Sequence, residues 1–408
     1  MNMQVTYPQN EKELEAIADL RGKVFRRASY YFFYEERMRF HKMDPWFKPE
    51  HVRIVKEDNR IVSAVTIVAR PVRFGPAVVK MGGIGDVLTV PECRGKGYSR
   101  VLMESAVEYM KGHNFDLTVL FGIPNYYHKF GYLEGMRNYQ LELLDTSHVP
   151  EQARFHVRQF QVDDIPEMLR LYQANMRHCH LVIDRNTRYM ECKINQRDLL
   201  IVITDSKGKL AGYAHTWDHI GNKFAVMEAM TAERDASLAL LSEILKQKPT
   251  NEPLIIKMSP QMPFVRHVRS LGSELKIRSF GEGEGMGMVA VIDLCQLINN
   301  LKPLFNERLQ TSKFNTFSGK LKIACDQPVQ LLFDDGELKS CTPAANDSTA
   351  GFWLDTDLRY FSRNLIGYWT IRDLLDHTDA KSSNSECLEL LEVLFPETEP
   401  FMLPWDYF

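Results

Sequence analysis

The run Val87-Leu88-Thr89-Val90-Pro91-Glu92-Cys93-Arg94-Gly95-Lys96-Gly97-Tyr98-Ser99 joins a β-branched stretch, a proline, a basic glycine-containing turn and the start of a helical pattern. A helix opens with unpaired backbone N–H groups and a partial positive charge, so a loop that feeds it suits a pyrophosphate. Gly95 and Gly97 allow close approach of the backbone to phosphate oxygens, and Arg94, Lys96 and Arg100 add positive charge. A charged surface turn is the plain alternative. Two other glycine runs fit phosphate less well. Gly83-Ile84-Gly85 lacks the third glycine of a dinucleotide loop, and the 281–287 run carries Glu282 and Glu284, which would repel phosphate and predict a flexible turn.

The elements that must carry the loop follow from apolar spacing. Val101, Leu102, Ala106 and Met110 predict a helix over 99–111, preceded by a strand at 86–90. Upstream, 11–41 reads helical, and its aromatic stretch from Tyr30 to Tyr34 suits core packing or the wall of a groove. Residues 52–55 and 61–69 flank the turn formers Glu57-Asp58-Asn59-Arg60 and predict a hairpin. Further strands are expected at 77–81 and 117–121. Together these predict an α+β domain over 1–150 with one parallel crossover.

The same order of elements recurs over 151–295. Asp163 and Asp164 are cap candidates before Pro166, and Met168, Leu169, Leu171 and Tyr172 share one helix. A hairpin at 199–204 and 210–217, a strand at 223–230, a helix at 236–246 and a strand at 254–258 follow. Here Thr231-Ala232-Glu233-Arg234-Asp235 joins strand to helix without a glycine. A third block, 296–408, predicts paired strands at 319–325 and 329–334 and helices near 294–301, 355–365 and 370–377. The chain closes on Phe401, Met402, Leu403, Trp405, Tyr407 and Phe408, an apolar tail that something must bury.

Composition narrows the partners. A formal charge of −3, with both signs mixed along 408 residues, gives no footprint for a nucleic-acid backbone. No basic-then-apolar leader and no apolar run of bilayer length is present, so no membrane partner and a cytoplasmic location are expected. Seven scattered cysteines without a Cys-x-x-Cys pair signal neither disulfides nor zinc. His178-Cys179-His180 points in different directions along one element and suits packing better than a metal.

The 94–99 loop resembles the coenzyme-A loop of the GNAT acetyltransferases, Gln/Arg-x-x-Gly-x-Gly/Ala, through Arg94, Gly97 and Ser99, with serine a mild departure in the last place. The segment Asn125-Tyr126-Tyr127-His128-Lys129-Phe130-Gly131-Tyr132 is similar to the GNAT stretch in which a tyrosine precedes a glycine-aromatic pair by four residues. The resemblance implies that acetyl-CoA is the co-substrate, without a metal. It assigns the coenzyme to Val87, Leu88, Thr89, Arg94, Gly95, Lys96, Gly97, Tyr98, Ser99 and Arg100, together with Gly122 and Ile123. It also implies that Tyr127 protonates the departing thiolate, a role that suits a phenol of pKa about 10. Packing beneath the neighbouring strand is the alternative for Tyr127.

The three-block layout resembles the enhanced-intracellular-survival (Eis-like) acetyltransferases. That implies two tandem GNAT folds, the second lacking the coenzyme loop, followed by a sterol-carrier-like α/β domain. It further implies acetyl transfer to a primary amine, either a small molecule such as an aminoglycoside or polyamine or a protein lysine. Hexameric assembly and a terminal α-carboxylate, here on Phe408, acting as base are implied as well. A non-catalytic acyl-CoA or lipid-binding protein and a purely structural interaction protein are the rival readings.

Overall fold

The computed structural model describes residues 4–25, 30–123, 125–143, 149, 154–194, 199–217, 224–249, 252–271, 275–278, 286–344 and 351–408. Of the turn expected at 281–287, residues 281–285 lie outside them and Met286 and Gly287 open a strand. The first unit begins with β1 (Val5–Thr6), α1 (Glu11–Val24) and α2 (Tyr30–Met43), so the helical stretch is two helices. Asn10 starts α1 by accepting from the Glu13 N–H. The expected hairpin is β2 (Val52–Glu57) and β3 (Arg60–Phe74), turned by Asp58 and Asn59 at positive φ, where short polar side chains are tolerated. Then come β4 (Ala77–Thr89), α3 (Tyr98–Gly112), β5 (Leu117–Gly122) and β6 (Leu133–Glu134).

The strands expected separately at 77–81 and 86–90 are thus one. The glycines that seemed to interrupt them serve close approach instead. A Cβ at Gly82 would stand 2.2 Å from Met110 Sδ of α3, and one at Gly83 would stand 2.3 Å from Phe408 Cζ. β4 and β5 run parallel in register from Met81 opposite Leu117 to Ile84 opposite Leu120, and the ladder stops there. Asp86 has φ +49°, and the β3–β4 register shifts between Ala64 and Thr66, so a bulge turns β4 away from β5. The two strands splay toward the end where the 94–99 loop begins.

The second unit contains β7 (Gln140–Leu143), β8 (His156–Gln159), α4 (Ile165–Asn175), β9 (Cys179–Ile183), α5 (Thr187–Lys193), β10 (Leu199–Thr204), β11 (Leu210–Trp217), β12 (Ala225–Thr231), α6 (Arg234–Gln247), β13 (Leu254–Ile256), α7 (Pro263–Arg269), β14 (Leu275–Arg278) and β15 (Met286–Val291). Its sheet runs β14-β7-β13-β12-β11-β10-β8, with β12 and β13 as its parallel pair. Sheet membership does not follow chain order. β15 lies in the first sheet, which runs β1-β2-β3-β4-β5-β15-β6, and β7 lies in the second. β9 also joins the first sheet, on the far end of β3.

The remaining residues form α8 (Leu294–Asn300), α9 (Lys302–Gln310), β16 (Gly319–Ala324), β17 (Val329–Asp334), β18 (Glu337–Pro343), β19 (Phe352–Asp355), α10 (Leu358–Leu365), α11 (Ile371–His377), β20 (Lys381–Ser382), α12 (Ser385–Leu394) and β21 (Glu399–Pro400). Five of these strands make one sheet, β18-β17-β16-β19-β20, whereas β21 pairs with β9. Its inward residues Leu321, Ile323, Val329, Leu331 and Phe333 share a core with Val72, Phe74 and Met81 of the long β3–β4 hairpin. The third unit therefore packs on the first without a solvent layer between them. Among the described residues no helix is long and apolar enough to cross a membrane, and no group of three or more metal-ligating side chains occurs.

Candidate active site

The loop after β4 reaches α3 through Gly95 and Gly97, at φ +81° and +83°, and nothing stands within 4 Å of a Cβ placed on either. Left-handed backbone explains why both are glycine, and the open space is what a phosphate approaching the N–H groups requires. Among the described residues the N–H groups from Gly95 to Ser99 donate to no protein acceptor, whereas Arg100 and Val101 already donate to the Gly97 carbonyl. The helix end thus presents a row of free donors.

The charges around the loop are not equivalent. Lys96 Nζ donates to Glu57 Oε1 and Oε2 at 2.8 and 3.2 Å, and the buried Tyr98 turns its hydroxyl to the same carboxylate. Lys96 and Tyr98 therefore brace the loop against the end of β2. Arg100 pairs with Glu104 one turn along α3. Arg94 has no ion-pair partner among the described residues and is the loop's available cation. Ser99 Oγ lies 2.6 Å from the Tyr126 hydroxyl, tying the helix start to the segment after β5.

Tyr127 begins a short 3-10 helix, Tyr127–Phe130, that ends on Gly131 at φ +87°. His128 Nε2 to Glu134 Oε1, 2.9 Å, and Arg363 of α10 donating to the Glu134 carbonyl, 2.7 Å, hold this turn in place. The Tyr127 ring lies against Gly122, where a Cβ would meet Cε2 at 2.3 Å. Its hydroxyl has no hydrogen-bond partner among the described residues, while that of Tyr126 is engaged by Ser99. Burial, and secondarily Tyr126, push the Tyr127 phenol up to about 12. Val87 and Thr89 are half-buried on the part of β4 beyond its ladder with β5, Leu88 is buried, and Ile123 is exposed just after β5.

The tail enters the same splay. The Phe408 ring fills the space above Gly83, and its carboxyl carbon would be 3.3 Å from a Cβ at Gly85. Tyr407 stacks on Phe121 of β5 with centroids 3.8 Å apart. Gly85 is the first position past the last β4–β5 pair, and Gly122 ends β5 two positions past it, so the structure brings Phe408 and Tyr127 to neighbouring strand ends.

Sequence reasoning missed a charged layer beneath them. Asp86, buried at the bulge, accepts from Arg21 Nε of α1 at 2.7 Å and lies 2.5 Å from Arg37 Nη2 of α2. Arg21 also donates to Glu36 and to the Phe33 carbonyl. A lone aspartate in the apolar strand Gly85-Asp86-Val87-Leu88 was the available signal, because a buried charge demands a partner. The aromatic stretch on α2 is half-buried, with Tyr31 exposed and Phe32 lying 5.8 Å from Trp217 of the second unit. In the second unit the strand-to-helix junction carries Glu233 and Asp235, both paired to Arg154, where the first unit has its glycines. His180 of the triplet considered for metal is buried against Thr398.

Comparisons with known proteins place this geometry. No curated protein matches the chain in sequence. In fold, it is similar over 99% of its length to all of a GCN5-related N-acetyltransferase from Anabaena variabilis, at TM-score 0.74 and 15% identity. A probable N-acyltransferase from Enterococcus faecalis gives TM-score 0.74 at 18% identity, with both chains covered completely. Eis1 from Mycobacterium abscessus gives 0.63 at 11% identity, covering 99% of this chain and all of that one. In sequence, residues 6–134, the segment that contains the splay, the glycine loop and Tyr127, match the family described as acetyltransferase (GNAT) domain.

Proposed function

We propose that the chain transfers acetyl from acetyl-CoA to a primary amine by direct attack within a ternary complex. One observation carries the reading: a free-donor helix start, an unpaired phenol and a carboxyl group converge where two parallel strands part. The N–H groups of 95–99 and Arg94 bind the pyrophosphate. The edge of β4 from Val87 to Thr89, with Gly122 and Ile123 opposite, takes the pantetheine arm.

A primary ammonium of pKa near 10 must lose a proton before it attacks. The Phe408 carboxylate attracts the ammonium and receives its proton, directly or through water. As the new C–N bond forms and the C–S bond breaks, Tyr127 gives its proton to the thiolate, and a backbone N–H of β4 faces the oxyanion. The amine, an aminoglycoside-like or polyamine compound or a lysine side chain, enters between α2 and the second unit, where Phe32 faces Trp217. The second unit binds no coenzyme, because Glu233 and Asp235 would repel phosphate. The reading of 296–408 as sterol-carrier-like and the hexameric assembly belong to the same proposal.

Release of coenzyme A, followed with a thiol reagent over a panel of polyamines, aminoglycosides and peptide amines, tests it. Amine-dependent release is expected. Stoichiometric acetyl-CoA binding without release from any amine would favour the non-catalytic carrier.

A further inference from the structure

The tail that ends at the splay is held from the second unit, through one buried arginine. Arg185, between β9 and α5, is fully buried. It donates to Glu228 Oε1 and Oε2 at 2.8 and 2.7 Å and to Asp406 Oδ1 and Oδ2 at 3.1 and 2.8 Å. Tyr189 adds a hydrogen bond to Asp406 Oδ1 at 2.9 Å, and Tyr213 one to Glu228 Oε1 at 2.6 Å. The guanidinium lies 3.9 Å above the Tyr172 ring.

Glu228 occupies the place in the second sheet that Asp86 occupies in the first. Each lies two residues past the last pair of its unit's parallel ladder, Val226 opposite Ile256 and Ile84 opposite Leu120. Each is gripped by buried arginine. The difference is what shares the grip. In the first unit Arg21 and Arg37 serve Asp86 from their own helices, whereas in the second unit Arg185 also takes a carboxylate from the tail.

Adhesion alone does not call for such an arrangement. Phe401, Leu403 and Trp405 are already in the second unit's core, and Trp405 stacks on His215 at 4.5 Å. One cation buried with two carboxylates is costly to desolvate, and apolar groups of similar size often hold as well. A bidentate pair adds direction and register, which apolar contact leaves loose. Phe408 lies two positions beyond Asp406, a reach of roughly 7 Å, and a slip of one residue moves the terminus by roughly 3.4 Å, beyond hydrogen-bonding range.

We infer that Arg185 is a positioning residue of the acetyl-transfer site: through Asp406 it sets the register of Tyr407 and Phe408 against β4 and β5, and this is the second unit's contribution to the reaction. The inference rests on the reading of Phe408 as part of that site.

Asp406→Asn, Arg185→Lys and Tyr189→Phe, made in the full chain, test it alongside a variant with a short C-terminal extension. Each clamp variant is expected to lower kcat, by about ten- to a hundredfold for the first two, the scale of a displacement of about 1 Å at a reacting group. The KM for acetyl-CoA should stay put, since the 94–100 loop is untouched. A merely structural clamp would lower the unfolding temperature and leave kcat of the folded fraction unchanged. Wild-type kcat in all folded clamp variants, with the extended chain inactive, overturns the inference alone. Wild-type kcat in the extended chain as well overturns the role of Phe408 on which it rests. Tyr189→Phe removes a single hydroxyl, so it reports even where the charge variants fail to fold.

Discussion

Phe408 occupies the space that any side chain at residue 83 would need, with Phe408 Cζ only 2.3 Å from where that Cβ would be. Gly83→Val should expel the ring while leaving Asp406 clamped. Turnover is expected to fall at least about tenfold, on the scale of a misplaced reacting group, with acetyl-CoA affinity retained in calorimetry. Unchanged turnover would show that the ring's seat does not matter to the reaction.

Tyr127→Phe keeps the ring on Gly122 and deletes the proton. Turnover should drop by about 10²–10⁴-fold with acetyl-CoA binding spared. Because burial raises this phenol to about 12, the protonated donor persists through alkaline pH. The wild-type kcat profile should therefore show no descending limb from this group below about pH 11; a limb near 9 that disappears in the phenylalanine variant would contradict the environment described for Tyr127.

Gly97→Asp places a carboxylate and a Cβ at φ +83°, in the approach to the free N–H row. Acetyl-CoA binding should weaken by at least about tenfold, equivalent to about 1.4 kcal/mol. Because φ +83° strains any side chain, the unfolding temperature should fall modestly, and binding is read on the folded protein. Normal affinity in calorimetry would remove phosphate cradling from the mechanism.

His180 should make the tail's anchorage sensitive to acid. Burial, and secondarily Arg308, hold its folded pKa at about 3, below the ordinary 6.5. The unfolded chain therefore takes up this proton first, so stability present above pH 6.5 is lost progressively as pH falls toward 3. His180→Gln should shrink the difference in unfolding temperature between pH 7 and pH 4 relative to wild type. His41 and His51 are depressed in the same sense and remain in both proteins, so the comparison isolates His180. An equal difference in the two proteins would count against this coupling.

Local patterns foretold much of the first unit. The glycine loop and the helix after it were readable because positive φ and apolar spacing leave marks in adjacent residues. Tyr127 was singled out only through a family resemblance, since a tyrosine beside a strand is ordinary. The Asp86 and Arg185 networks were not readable, because Arg21 and Arg37 lie 65 and 49 residues from Asp86, and Glu228 and Asp406 lie 43 and 221 residues from Arg185. The continuity of β4 was missed for a related reason: Gly82 and Gly83 look like breaks until Met110 and Phe408 are seen against them.

The exchange of β7 and β15 between the two sheets bears on how the chain comes off the ribosome. Until Val291 has emerged, β5 has no neighbour on its outer side, and about 170 residues must be added after β5 before that edge is covered. For that interval a nascent first sheet presents unpaired N–H and C=O groups of the kind that recruit other chains. High contact order of this sort slows folding. Synthesis of the first unit alone should therefore yield an open-edged, aggregation-prone product, and its solubility should be restored by supplying the 286–291 strand in trans.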